Sequence, residues 1–236
     1  MLIPMKQTAS GFSLIELLVV IAIIGTLVGI VSGVATAAKA RAQSVSCQKN
    51  LGDWAKGLNM LIDARRTHAF PGIGNGSLED ETAWYNLIPS FLDTPKLNQW
   101  EGKLPTPQSG VKSLYVCPCA SKGGENAFFS YAYNRHLVNN GTAFRAPQLR
   151  RPSELVAFMD SNSPNACSAT ESTLLAHGTD AFRHGGRVNM AFCDGSVRSF
   201  KILDVRNGSD SPTVTNPSGI LWNPWGSDGS SGTGGF

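Results

Sequence analysis

The sequence predicts an α+β chain in which one long N-terminal helix packs on a small antiparallel β-sheet domain. Three patterns support this: a long apolar run near the N-terminus, an amphipathic stretch after it, and several short strand-like segments in the second half. The 236 residues suffice for one anchor and one ordinary domain, or for two small domains. The formal net charge of +3 is too small to indicate a nucleic-acid partner.

The apolar run covers residues 17–31 and contains a single polar side chain. With its flanks, the segment 12–34 is long enough to span a bilayer, which needs roughly 20 mostly apolar residues. Gly25, Gly29 and Gly33 recur every four residues, and this spacing predicts one helix face that allows close helix packing. Glycine is also simply common in membrane helices, so both interpretations of the three residues stay open.

An apolar segment in this position is a cleaved secretory signal, an uncleaved anchor or a processed anchor. The small residues at 35–37 (ATA) would suit a signal peptidase, which would leave Ala38 as the mature N-terminus. Glu16 argues against a disposable signal. A carboxylate at the edge of an apolar segment is costly unless it finds a partner, and a signal that is discarded has no use for one.

The strongest motif is GFSLIE at residues 11–16, which closely resembles the signature of type IV prepilins and type II secretion pseudopilins. In that family a prepilin peptidase cuts after the glycine and methylates the new N-terminal residue. The resemblance therefore implies cleavage between Gly11 and Phe12, an N-methylated Phe12, and Glu16 as the fifth residue of the mature chain. The short leader carries Lys6, as leaders in the family do.

Cleavage would give Phe12 a charged α-amine, with Glu16 one helical turn further on. The amine of one subunit could neutralise the carboxylate of its neighbour, so the cost of burying Glu16 would disappear only on assembly. The alternative is that Glu16 reaches the lipid headgroups and has no role in assembly.

The resemblance implies a single-pass protein of the inner (cytoplasmic) membrane with its C-terminal domain outside the cytoplasm. The distribution of positive charges alone favours the opposite orientation. Lys39, Arg41 and Lys49 follow the apolar segment, and only Lys6 and the initial amine precede it. We follow the resemblance, since long domains are translocated despite such charges.

Beyond the apolar run, side chains that are apolar or small recur three or four residues apart, with charged side chains on the other faces and no proline. This pattern predicts that the helix continues to about Arg66. We therefore divide the chain into a leader (1–11), a membrane-spanning helix (12–34), an amphipathic helix (35–66), an exported α+β domain (67–203) and a Gly/Ser/Pro-rich tail (204–236).

Within the domain, Ser77 ahead of three acidic residues predicts a short helix over 78–88. Strand-like segments separated by Gly, Pro, Asn and Ser predict antiparallel pairing. The last two segments form a hairpin around Asp194-Gly195, a strong two-residue turn signal. The predicted strands are 113–116, 128–133, 155–158, 188–193 and 197–202.

A second motif consists of His184, nine intervening residues and Asp194-Gly195. It resembles the prepilin-type family that is abundant in Planctomycetes and Verrucomicrobia and is named for a C-terminal His-(nine residues)-Asp-Gly motif. The biochemical role of that family is poorly defined. Further segments that fit it are CP at 117–118, SYAYN at 130–134 and RPS at 151–153.

Two interpretations of His184 stay open. In the first, His184 binds a divalent metal with Asp160 and Asp194, because imidazole and carboxylate ligands suit several such ions. In the second, Asp194 only forms the turn and His184 hydrogen-bonds the loop 182–187. Calcium is a further candidate, since pseudopilins bind it near the C-terminus, although no matching ligand spacing is present here. No other cofactor is predicted.

An odd number of cysteines leaves at least one thiol without a partner in the same chain. An exported domain permits disulfides, and we expect at most one. Cys117 and Cys119 are separated by one residue, and cysteines this close usually pair elsewhere or bind a metal. The five are Cys47, Cys117, Cys119, Cys167 and Cys193.

The expected function is structural and not enzymatic: a prepilin-like subunit of a pilus-like filament or a type II secretion pseudopilus. The implied partners are a prepilin peptidase, copies of the chain, related pilin-like subunits and membrane lipid, with no nucleic acid. One alternative is a membrane-tethered extracytoplasmic binding module that forms no filament. Another is an envelope hydrolase that uses His184 with Asp160 or a thiol, although a nucleophile motif such as Gly-x-Ser-x-Gly is missing.

Overall fold

The computed structural model describes residues 13–75, 77–100, 112–120, 129–139, 142–161, 168–170, 174–175, 183–206 and 218–224. The chain divides into two compact units, Met1–Ala42 and Gln43–Phe236. The predicted leader, with Gly11 and Phe12, lies outside the described residues.

Helix α1 extends without interruption from Leu14 to Ala64, two residues short of the predicted end. In the second unit it buries one face, whose members are spaced three or four residues apart as the amphipathic pattern predicted. The buried residues of this face are Cys47, Leu51, Trp54, Ala55, Gly57, Leu58, Leu61 and Ile62.

The helix predicted over 78–88 is shorter than expected. Helix α2 is Trp84–Leu87, and a 3₁₀ turn, Ile88–Phe91, follows it directly. Turns precede the helix because Ser77 Oγ accepts a hydrogen bond from the Glu79 amide and the Asp80 carboxylate accepts one from the Thr82 amide. Such local side-chain bonds to the backbone compete with helix formation.

The sheet has five strands in the order β5-β1-β4-β6-β7. Strand β4 pairs antiparallel with β1 and with β6, and β6 pairs antiparallel with β7. The two-residue edge strand β5 pairs parallel with β1. The predicted α+β class is confirmed, and the sheet is mixed where we expected it to be purely antiparallel. The strands are β1 Tyr131–Asn134, β2 Val138–Asn139, β3 Thr142–Ala143, β4 Val156–Asp160, β5 Ser168–Ala169, β6 Arg187–Phe192 and β7 Val197–Lys201, with β2 and β3 forming a separate pair.

The predicted strand at 113–116 is wrong, because this segment forms turns. Side chains of α1 bind its carbonyl oxygens: Asn50 Nδ2 donates to two of them at 3.3 and 3.2 Å, and Trp54 Nε1 donates to a third at 3.0 Å. Backbone groups satisfied in this way need no neighbouring strand. The other four predicted strands are present, with ends shifted by at most three residues.

The hairpin between β6 and β7 is confirmed. Gly195 has a φ of +89°, a conformation that L side chains rarely adopt. Asp194 Oδ1 accepts hydrogen bonds from the amide of Ser196 at 2.9 Å and from its hydroxyl at 2.7 Å. Asp194 therefore shapes the turn with its side chain, which is the typical use of Asp in this position.

The core has two parts. One is an aromatic cluster in which the indole of Trp54 packs edge-on against Trp84 and Tyr115. The other contains Met190 of β6 and Trp222, which is fully buried. The segment 218–224 belongs to the predicted tail, but backbone hydrogen bonds link it to the start of β4, and it contributes to this second cluster. Helix α3, Ile202–Arg206, follows β7 directly.

Candidate functional site

The N-terminal part of α1 is apolar on all sides. Its large side chains are exposed, from Leu14 at 81% to Val20 at 44%. Within the described residues, α1 is the one helix long and apolar enough to cross a membrane, a criterion of length and composition alone. A Cβ atom added at Gly25, Gly29 or Gly33 would meet no atom within 4 Å, so the face that these glycines share is open.

Glu16 is the acidic residue of the first turn of α1. Its Oε2 accepts a hydrogen bond from the amide of Ser13 at 2.9 Å, and the residue is exposed. A carboxylate at a helix N-terminus satisfies an otherwise unpaired amide and interacts favourably with the helix dipole. Among the described residues, the partner of Glu16 is therefore a neutral backbone group.

A buried polar cluster lies at the end of β4. Asp160 is fully buried, and its Oδ2 accepts a hydrogen bond from the amide of Asn189 at 2.8 Å. His184 Nε2 lies 3.1 Å from the same oxygen, and Arg183 Nη2 lies 3.3 Å from Oδ1. Arg183 and His184 bring one fixed positive charge and one titratable group to a carboxylate that could not be buried alone.

Backbone carbonyls hold Arg183 in this position. Its guanidinium donates to the carbonyl oxygen of Ser130 at 2.6 Å and to that of Ser161 at 3.0 Å. The charge of Asp160 also acts on Tyr131, whose pKa is raised first by burial and further by that carboxylate. The cluster thus joins β1, β4 and the residues before β6 through charged and polar contacts.

Sulfur atoms lie directly beside this cluster. A disulfide joins Cys47 of α1 to Cys117, and Cys117 Sγ is 3.6 Å from His184 Nε2. Cys119 is a free, partly buried thiol, and burial raises its pKa. Cys193 is a free thiol buried elsewhere in the core. The expectation of at most one disulfide agrees with the described cysteines, and Cys167 lies outside the described residues.

The predicted ligand set is only partly assembled. Asp160 and His184 are in contact, as the metal hypothesis required. Asp194 lies past the other end of β6, and the six residues of that strand alone span about 20 Å. Asp194 therefore cannot share an ion with the other two. His184 also makes the expected local contact, because its amide donates to the carbonyl oxygen of Arg187 at 3.3 Å.

Sequence reasoning missed that Cys47, Cys117 and Cys119 surround His184. The spacing of Cys117 and Cys119 was the one available signal, since it is typical of cysteines that pair elsewhere or bind a metal. Nothing in the sequence connected these cysteines to a histidine 67 residues away from Cys117.

Residues 6–32 match the family described as the prokaryotic N-terminal methylation motif. The matched region includes Gly11, Phe12 and Glu16 and ends within the apolar part of α1. Neither a curated protein nor a solved structure matches the chain.

The motif and the apolar helix together support a type IV pilin-like prepilin and fit a single-pass, membrane-anchored protein. The motif implies processing by a prepilin peptidase and assembly with other pilin subunits. It also favours a structural subunit over an enzyme.

Proposed function

We propose that this chain is a structural subunit that is cleaved after Gly11, N-methylated at Phe12 and assembled through its apolar helix into a pilus-like filament or a type II secretion pseudopilus. Before assembly the chain would reside in the inner membrane with its C-terminal domain outside the cytoplasm. The observation that carries the proposal is the methylation motif at residues 6–32, whose residues from Leu14 onward lie on a helix with an exposed apolar surface.

The exposed surface of this helix requires a nonaqueous environment. Nearly every turn from Leu14 to Val34 carries Leu, Ile or Val side chains that are 44–81% exposed. Exposed apolar area on this scale is strongly unfavourable in water. Lipid would cover it in the single subunit, and the helices of neighbouring subunits would cover it in a filament.

Charge pairing of Glu16 would favour assembly. In the single chain its carboxylate binds only the neutral amide of Ser13, among the described contacts. In a filament, the methylated amine of a neighbouring Phe12 would provide a positive charge at a low dielectric, where such pairing is strongest. The open glycine face at Gly25, Gly29 and Gly33 would let two helices approach closely enough for this pairing.

The proposal is tested with the Glu16→Ala variant in cells that contain a prepilin peptidase. We expect normal cleavage and methylation but loss of sheared filaments, because breaking an interfacial charge pair costs about 2–5 kcal/mol. The matched control is Glu81→Ala, which removes an exposed carboxylate of the domain and should leave filaments intact. Mass spectrometry of the mature N-terminus and the filament yield are the two readouts.

Two results would contradict the proposal in different ways. A mature chain that starts at Ala38 would identify a cleaved secretory signal and remove the anchor. A parent that forms no filament would favour a membrane-tethered binding module. A correctly processed Glu16→Ala chain that assembles as well as the parent would refute the charge pairing proposed for Glu16.

A further inference from the structure

One cluster of the domain contains more ligating atoms than a structural disulfide requires. Ligand atoms of four residues, Cys47, Cys117, Cys119 and His184, all lie within 4.8 Å of one another. Three sulfurs and one imidazole are a ligand set of structural zinc sites, with Zn–S distances of about 2.3 Å. Ligands on a tetrahedral ion at that distance are about 3.8 Å apart, so the Cys47 and Cys117 sulfurs, which are bonded to each other, would have to separate on reduction, whereas the other groups lie within 4.8 Å of them.

The fourth member of the cluster is the buried imidazole of His184. The side chain of His184 is 2% exposed, and its Nε2 lies beside the Asp160 carboxylate at 3.1 Å. Its Nδ1 is buried without a hydrogen-bond partner in the described part of the chain. A buried nitrogen with no partner is uncommon in a folded protein. The nitrogen that faces the sulfurs is Nε2, because Cys117 Sγ lies 3.6 Å from it, so Nε2 is the atom that would bind an ion in this arrangement.

The charges around the cluster are compatible with a zinc ion bound by three thiolates. Zinc with three thiolates and one neutral imidazole has a net charge of −1, and Asp160 adds another negative charge. Arg183 lies against Asp160 with a side chain only 6% exposed, so it brings a positive charge into the same buried region. Asp160 is also fixed by the amide of Asn189.

The disulfide decides whether these ligands are available. With Cys47 and Cys117 joined, two of the four sulfur and nitrogen ligands are covalently occupied, and Cys119 and His184 remain. Reduction adds two electrons and two protons to the disulfide and yields two thiols. Zinc binding would then displace the protons of all three thiols, because only thiolates ligate the ion.

We propose that Cys47, Cys117, Cys119 and His184 form a zinc site that is open in the dithiol state of the domain and closed by the Cys47–Cys117 disulfide. The domain would thus carry zinc before oxidation and a covalent cross-link afterwards, at the same place between α1 and the segment 112–120.

The test uses the full-length chain in detergent micelles, in an oxidised and a reduced form. Tris(2-carboxyethyl)phosphine is the reductant: it supplies the two electrons and becomes the phosphine oxide with oxygen from water. Zn²⁺ alone is titrated anaerobically in competition with a chromophoric indicator. We expect one ion bound per reduced chain and at least 100-fold weaker binding by the oxidised chain.

Two variants make the result specific. Cys119→Ser spares the disulfide and changes a partly buried residue, so it should fold normally and lose at least 100-fold in zinc affinity when reduced. Cys193→Ala removes a free thiol outside the cluster and should bind zinc as the parent does. Cobalt bound to the reduced parent should show the absorption of a tetrahedral thiolate site, and the Cys119→Ser variant should not.

Three outcomes would overturn the proposal: no zinc on the reduced parent, equal affinity of the oxidised and reduced chains, or unchanged affinity in Cys119→Ser. None of them bears on cleavage or filament formation, so the proposed function would stand or fall separately.

Discussion

The two parts of helix α1 form one continuous helix but differ in what covers their side chains. Residues 14–42 are exposed on every face, whereas residues 43–64 bury a face that includes Trp54 and Leu58. Both parts have the same backbone geometry. The difference teaches that the pattern of side chains, and not helicity, separates a segment suited to lipid from a segment that builds a domain core.

Glycine shows the same contrast at single positions. A Cβ atom at Gly29 would meet nothing within 4 Å, but one at Gly57 would come within 2.5 Å of Ile88 Cγ2 and 2.9 Å of Leu92 Cδ1. Gly57 permits the close approach of the 3₁₀ turn after α2, whereas Gly29 keeps its face open. Three variants, one in each of the following predictions, test how far this contrast extends.

The largest effect is expected for Trp54→Ala. Trp54 is fully buried, packs against Trp84 and Tyr115, and donates a hydrogen bond to the carbonyl oxygen of Leu114. Its removal should lower the free energy of unfolding by about 3–5 kcal/mol. The measurement is chemical denaturation in detergent, followed by near-ultraviolet circular dichroism.

The control for Trp54 is Leu27→Ala in the first part of α1. Leu27 is 56% exposed, so the free energy of unfolding of the domain should not change. If both variants destabilised the domain to a similar degree, the division of α1 into an exposed and a packed part would be wrong.

The second-largest effect is expected for the Cys47→Ala/Cys117→Ala chain, which lacks the disulfide. The bond closes a loop across 70 residues, and chain entropy predicts a loss of about 4 kcal/mol within a usual range of about 2–5. Thermal and chemical unfolding are measured with a chelator present, so that metal does not contribute. A reductant should destabilise the parent and leave the double variant unchanged; a double variant as stable as the oxidised parent would show that the bond contributes little.

The smallest effect is expected for Gly57→Ala. The added methyl group would overlap Ile88 and Leu92, which costs about 1–3 kcal/mol, partly offset by the higher helix propensity of alanine. Gly29→Ala is the matched control and should leave the unfolding of the domain unchanged. Chemical denaturation compares the two variants, and a more stable Gly57→Ala chain would indicate that the contact is loosely packed.

Elements with a local signal were predicted well. The length and course of α1 followed from apolar spacing, and the turn at Asp194-Gly195 followed from residues that favour positive φ. The segment 113–116 was misassigned because its apolar residues have the composition of a strand, while its carbonyl oxygens bind Asn50 and Trp54 of α1. Propensity cannot reveal a hydrogen-bond partner more than 50 residues distant.

The candidate site was predicted in part for the same reason. Of the three predicted metal ligands, His184 and Asp160 lie in contact, whereas Asp194 lies beyond the far end of β6. The six extended residues of that strand separate Asp194 from the other two, and this separation depends on the residues being a strand. Glu16 and the glycines of the first part of α1 need no tertiary partner in the chain, and a motif was enough to find them.

Local sequence was thus sufficient to identify the long apolar helix and the methylation motif, because suitability for spanning a bilayer depends on the length and composition of one contiguous segment. The cluster of Asp160, Arg183 and His184 beside the Cys47–Cys117 disulfide depended on tertiary contacts. Its members come from α1, the segment 112–120, β4 and the residues before β6, and only the packing of α1 on the sheet removes water from all of them at once. Burial of that kind is a property of the assembled fold and has no signature in any single stretch of the chain.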